Sequence, residues 1–197
     1  MILTELSPVP VTSLPVAEFR EHLRLGTGFE DDAVQDTVLE ASLRAALAAI
    51  EAKTGKVLLE RAFLWKLTAW RGFQREELPV APVSTLTSAK IIESDGSETP
   101  LPATSYVLEE DAIHPTFAAR GFGLPTVPVA GSVEIEFVAG YANDWTSLPA
   151  DLAQAVMILS AEFHEHRHDH GSKDAFPTRV LQLIAPYRPV RLFGRRR

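Results

Sequence analysis

The spacing of the apolar residues changes once, abruptly, near Gly55, and that change confines the chain to folds that combine helices with an antiparallel sheet. Before it, Leu39, Leu43, Ala46, Leu47 and Ile50 recur every three or four residues, which gathers them on one side of an α-helix. Asp31 and Asp32 stand where acidic side chains favour a helix start, and Lys53 then Gly55 supply a basic last turn and a C-cap. The spacing predicts a helix over about 32–53. Its other side carries Ala41, Ala45, Ala48 and Ala49, small enough for close approach of another helix, of the same subunit or of a neighbour. From Val57 to Gly140 the texture is β. Short strands are predicted at Phe63–Trp70, Thr85–Glu93, Tyr106–Leu108, Ala112–His114 and Val133–Val138, with Asp95-Gly96 as a hairpin turn. The stretch from Pro115 to Gly131 reads as a long loop that orders against a partner.

Helical spacing flanks this β region on both sides. Phe19, Leu23 and Leu25 follow Ser13-Leu14-Pro15, a start signal, and predict a helix over about 15–25 stopped by Gly26 and Gly28. Leu152, Ala155, Val156, Leu159 and Phe163 predict another over about 149–168, with Ser147 as its cap. The fold class is therefore α+β: a helical bundle with an inserted small antiparallel β region, about 57–140, and an extended C-terminal arm. The expected division is a body over 1–172 and an arm over 173–197.

Several function classes are excluded or disfavoured by composition. A chain of 197 residues without cysteine has no disulfide, thiolate metal site or cysteine nucleophile. No stretch approaches the roughly 20 apolar residues of a membrane span, and the start MILTELSPVP lacks the basic and apolar regions of a signal peptide, which predicts a cytoplasmic origin. No nucleophile elbow or phosphate-cradling glycine loop is present. Trp65, Trp70 and Trp145 have no basic groove beside them, so they read as core or interface anchors. The acid run Glu109-Glu110-Asp111 reads as a solvated turn.

Charge is unevenly placed. The full chain is −7, yet residues 173–197 hold seven Lys and Arg against Asp174 alone, a net of +6, which leaves −13 on residues 1–172. The segment Phe176–Arg197 is broken by Pro177, Pro186 and Pro189 and is rich in apolar side chains. A basic, apolar arm on an acidic body predicts docking into a groove of another molecule that is itself acidic.

One enzymatic pattern stands out. His164-Glu165-His166-Arg167-His168 fits H-E-x-x-H, in which two histidines one helical turn apart share a zinc ion and the glutamate activates its water. His164, His168 and Asp174 are the candidate metal ligands and Glu165 the candidate base of a zinc metallohydrolase. Against it, both methionines, Met1 and Met157, lie upstream, and only 23 residues follow Asp174 to build the floor of a cleft. A solvated polar helix end explains the same residues, because imidazole and guanidinium groups suit a helix C-terminus. A freestanding protein-binding module built on residues 57–140 is the other alternative.

Five stretches in one order carry a resemblance: LPVAEFREHLRL from Leu14, DDAVQDTVLEASLRAALAAIEAKTGKVL from Asp31, LPVAPV from Leu78, VEIEFVAGY from Val133 followed by LPADLAQAVMILSAEFHEHR from Leu148, and LIAPYRPVR from Leu183. In the combination E-x-K-T-G, F-x-A-G-Y, L-P-x-D-L-x-x-A and L-x-A-P-Y-R, the chain resembles the head-tail connector (adaptor) proteins of long-tailed phages, prophages and gene transfer agents. The resemblance implies a structural, non-catalytic virion protein at the head-tail interface, made in the host cytoplasm, with no cofactor and no membrane. It further implies a ring, normally twelvefold, that binds the portal protein above and a stopper or tail protein below. The ring would line the path of DNA that passes without sequence-specific binding. Carried onto this chain, the portal-binding part would be the arm, with Leu183, Ile184, Tyr187 and Phe193 as buried anchors and Arg179, Arg188 and Arg191 as charge partners.

Overall fold

The computed structural model describes residues 1–25, 32–167 and 176–188, with the side chains of 32–34 left aside. The chain is mixed α and β, and it divides into two compact units that interleave in sequence: Met1–Val9 with Leu59–Asn143, and Pro10–Leu58 with the chain from Asp144 on.

The first unit holds every strand. β1 (Ile2–Glu5), β2 (Arg61–Leu67), β8 (Ser132–Ala139), β4 (Val83–Ile92) and β5 (Glu98–Pro100) form one antiparallel sheet in that spatial order, and β3 (Arg75–Glu77), β7 (Thr116–Ala119) and β6 (Tyr106–Glu109) form a second. The central strand β8 alternates strictly, burying Val133, Ile135, Phe137 and Ala139. Its neighbour β2 buries Phe63, Trp65 and Leu67 in register with Phe137, Ile135 and Val133. Period-two side chains force this outcome, since a one-residue slip would turn the whole apolar row outward. The opposite side is a charge ladder: Lys66 Nζ lies 3.0 Å from Glu134, Lys90 lies 3.5 Å from the same carboxylate, and Lys90 also reaches Glu98 at 3.0 Å. Hydrogen bonding to Lys66 holds the Glu134 carboxyl below the usual carboxylate range.

The F-V-A-G-Y stretch ends this strand for a steric reason. Gly140 has φ +153°, and a Cβ there would sit 2.3 Å from the Glu60 Cα. Its N–H donates to Pro82 O at 3.0 Å, inside the L-P-V-A-P-V stretch. Only glycine permits that approach.

The second unit is helical: α1 (Val16–His22), α2 (Asp32–Thr54), α3 (Ala150–Glu165) and α4 (Thr178–Ile184). The predicted stripes meet, with Leu39, Leu43, Ala46, Leu47 and Ile50 of α2 buried and Leu152, Ala155, Val156 and Leu159 of α3 buried. α2 stops where E-A-K-T-G directs it. Gly55 takes φ +69° and its N–H donates to Glu51 O at 2.8 Å, Thr54 Oγ1 donates to Ile50 O at 2.8 Å, and the Glu51 carboxylate accepts the Leu58 N–H at 2.8 Å. Arg20 of α1 pairs with Asp36 of α2.

Several expectations are corrected. Residues 112–114 form no strand, because the Asp111 side chain accepts the N–H groups of Ile113 and His114, each at 2.7 Å, and makes a turn. Pro115–Gly131 is no partner-dependent loop: it contains β7, and it is pinned by Leu124 N–H to Phe73 O (2.9 Å) and Trp70 Nε1 to Pro125 O (2.7 Å). α3 starts after Pro149 without a side-chain cap, so Ser147 is not its cap. The Ser147 N–H instead donates to Asp144, which closes the preceding turn. Ala41, Ala45 and Ala48 are exposed and do not pack against a helix of the same subunit. The glycines placed as stops at 26 and 28 lie outside the described residues.

Candidate functional site

Two places were marked by the sequence, the C-terminal segment and the histidine-rich end of α3. The segment divides at its own motif. Val180 and Ile184 sit four residues apart on α4, and both are fully buried, packed in the helical unit beside α3. Phe176 lies under Lys53 of α2, whose ammonium is 5.5 Å from the ring centroid. Tyr187 is half-buried, and its hydroxyl lies 2.8 Å from both carboxylate oxygens of Asp151 in the first turn of α3. The aspartate of L-P-A-D-L and the tyrosine of L-I-A-P-Y-R are thus one tie.

This corrects part of the anchor assignment. Ile184 is a core residue of its own subunit, and the Tyr187 hydroxyl is engaged at home, because α4 presents an i, i+4 apolar pair that finds burial beside α3 without a partner. The body therefore continues past residue 172 through Tyr187, and the described part of the expected arm folds back as a short helix. Leu183 is half-buried, and Arg179 and Arg188 are exposed. Arg191 and Phe193 lie outside the described residues.

At the other place, α3 ends at Glu165 and His166 serves as its C-cap, so the helix does not extend to His168 and the one-turn spacing of H-E-x-x-H is not supplied by it. The proline-free run had suggested continuation to 168, but His166 Nδ1 and N–H both turn back to the Glu162 carbonyl and close the helix. His168 and Asp174 lie outside the described residues; among the described ones no three histidine, aspartate or glutamate side chains gather as a metal site. His164 stands edge-on to Phe19, with ring centroids 6.4 Å apart, and its Nδ1 is buried without a hydrogen-bond partner. Burial, with the nearby Arg167 guanidinium second, pushes its pKa below the ordinary 6.5. Together with Leu25, Gln35, Val38, Leu39 and Arg167 it lines an open groove of about 250 Å³. A neutral imidazole packed on a phenylalanine is a structural arrangement, and Glu165, exposed on the opposite flank, has no water-activating partner set.

A third place was missed by the sequence reading. Phe73 and Phe122 are 61% and 87% exposed, yet they pack edge-on with centroids 5.2 Å apart. The sequence signal was the pair of Gly-Phe steps, Gly72-Phe73 and Gly121-Phe122, which are far apart in the chain and join only through β7.

No protein-family model and no curated protein matches the chain. Solved structures do match over the full length. The chain is 48% identical to a component of the neck of an empty gene transfer agent particle computed with C6 symmetry, covering 100% of both chains with a TM-score of 0.91. It is 48% identical to a chain of the virion of a native gene transfer agent particle, covering 98% of each with a TM-score of 0.87. It is 45% identical to a component of the neck of a native particle computed with C12 symmetry, covering 100% of both with a TM-score of 0.85.

Proposed function

Because the chain belongs to the head-tail connector (adaptor) family, we propose that copies of it form a ring that joins the capsid portal to the tail and surrounds the path of the DNA. The protein is a structural component of a phage-like virion, placed at its neck. The observation that carries the reading is identity of 45–48% maintained over the whole chain with neck components, in particles treated with sixfold and twelvefold symmetry. A ring of twelve copies is the natural size, and its repeated contact is head-to-tail, since one surface must meet a different surface of the next copy for the circle to close.

The portal-binding role belongs to the end of the chain beyond the Tyr187–Asp151 tie. Arg188, Arg191, Arg195, Arg196 and Arg197 give that end its charge, and Val190, Leu192 and Phe193 its apolar surface. Arg179, exposed on α4, and the half-exposed Leu183 border it. The portal offers the cleft, and a stopper or tail protein meets another face of the ring. The remainder of the chain is acidic, so a duplex passes it without being held.

Truncation after Arg188 tests this reading. The shortened protein is expected to stay soluble and to unfold like the full chain, because Ile184 and Tyr187 are kept, while filled heads remain without tails in electron micrographs. Tailed particles at the full-length frequency would overturn the portal-binding role of residues 189–197.

A further inference from the structure

The exposed aromatic pair Phe73 and Phe122 stands on a rigid support. The turn before Phe73 is clamped from within: the Glu76 carboxylate, 2% exposed, accepts the Arg71 N–H at 2.7 Å and the Gly72 N–H at 3.4 Å. Gly72 lacks room for a side chain, since a Cβ would lie 2.3 Å from Arg75 O. Behind the turn, Trp70 stacks on the fully buried Phe117, with centroids 5.7 Å apart and planes 9° apart. The Phe73 ring lies on the backbone of Gly123, where a Cβ would meet it at 2.5 Å, and Gln74 Nε2 donates to Phe122 O at 3.1 Å. Two phenylalanine rings are thus held in water by hydrogen bonds and packing that leave them little freedom to retreat. Arg71 and Arg75, with side chains 77% and 69% exposed, flank them; Arg71 lies 4.0 Å from Glu76 and Arg75 3.1 Å from Glu109.

Aromatic rings on a pre-ordered support with arginines at the rim are the composition of protein-protein hot spots. The flanking cations select an acidic counterpart. Such a surface exists in the same unit of another copy. From Ile91 to Ala119 the chain has no Lys or Arg but carries Glu93, Asp95, Glu98, Glu109, Glu110 and Asp111. This unit as a whole has six Lys and Arg against twelve Asp and Glu.

Resting on the ring reading above, we infer that the Arg71-Phe73-Arg75-Phe122 tip is the contact by which one copy grips the acidic 93–111 region of the next copy. The contact is heterologous, as ring closure requires, and Phe122 is its most buried anchor once formed.

A photo-cross-linking p-benzoyl-phenylalanine at position 122 of the full chain, irradiated in assembled particles, tests it. The expected product is a covalent dimer of this protein whose linked peptide falls within residues 91–113. A cross-link to a different neck protein, to another region of a second copy, or no protein cross-link at all overturns the assignment. Imaging the same particles separates the two readings: intact rings with the wrong cross-link refute the contact alone, whereas necks that lack a ring of this protein refute the ring. As a second variant, Phe122→Ser with Phe73→Ser is expected to leave the unfolding of the isolated protein unchanged while lowering its incorporation into necks at least about tenfold, the effect of losing a hot-spot pair. Undiminished incorporation would also overturn the proposal.

Discussion

Replacing Ile184 with alanine asks whether the segment leading to Tyr187 belongs to the body. The side chain is fully buried on α4, packed with Val180 in the helical unit. Removing three carbons forfeits about 2.4 kcal/mol at roughly 0.8 kcal/mol per methylene. The cavity left behind adds to this, and measured losses for such truncations run about 2–5 kcal/mol. A working value of about 3 kcal/mol, divided by a urea slope of about 2–3 kcal/mol per molar, moves the midpoint down by about 1 M. Because the chain has two compact units, the transition is best followed by far-ultraviolet circular dichroism, to which the helical unit contributes most. Arg179→Ala, on the exposed side of the same helix, is the control and should change stability by no more than about 0.5 kcal/mol. If Ile184→Ala shifted the midpoint as little as Arg179→Ala, with the slope unchanged, the segment would not be held by its own subunit, and the core assignment of Ile184 would be refuted.

Two further outcomes follow from the geometry. Gly140→Ala forces a Cβ against the Glu60 backbone at a φ of +153° and should cost several kcal/mol or leave the protein insoluble, read by soluble yield and thermal unfolding; a melting temperature within about 2 °C of the parent would refute the close-approach argument. The His164 pKa is depressed by burial, so the folded state favours the neutral ring. The corresponding stability is complete above the ordinary value of 6.5 and declines as pH falls below it toward the lowered folded pKa. Titration of the His164 ring by NMR should show a midpoint below 6.5, and a midpoint at or above it would contradict the burial argument.

Much of the fold was legible because local chemistry and tertiary packing agree. The α2 stripe, the α3 stripe, the alternation of β8 and the Asp95-Gly96 turn all read correctly, since burial in an amphipathic helix or a one-faced sheet imposes its period on the sequence. The short elements were not legible. β1, β3 and β5 have three or four residues each, too few for a period to register, and they exist only because a neighbouring strand accepts their hydrogen bonds. The tail was misread for a related reason: its apolar residues were rightly recognised as needing burial, but a sequence cannot say on which surface that burial occurs.

Sequence alone determined that helical and β segments are both present, where α2 must stop, that cysteine chemistry is absent, and that a basic end follows an acidic body; each is a property of residue type and near-neighbour spacing. Only the tertiary structure decided that Tyr187 returns to Asp151, that Ile184 is core, that His164 packs on Phe19, and that Phe73 and Phe122 share one tip. Those pairings join residues tens of positions or more apart, and their energy comes from surfaces that do not exist until the chain has folded.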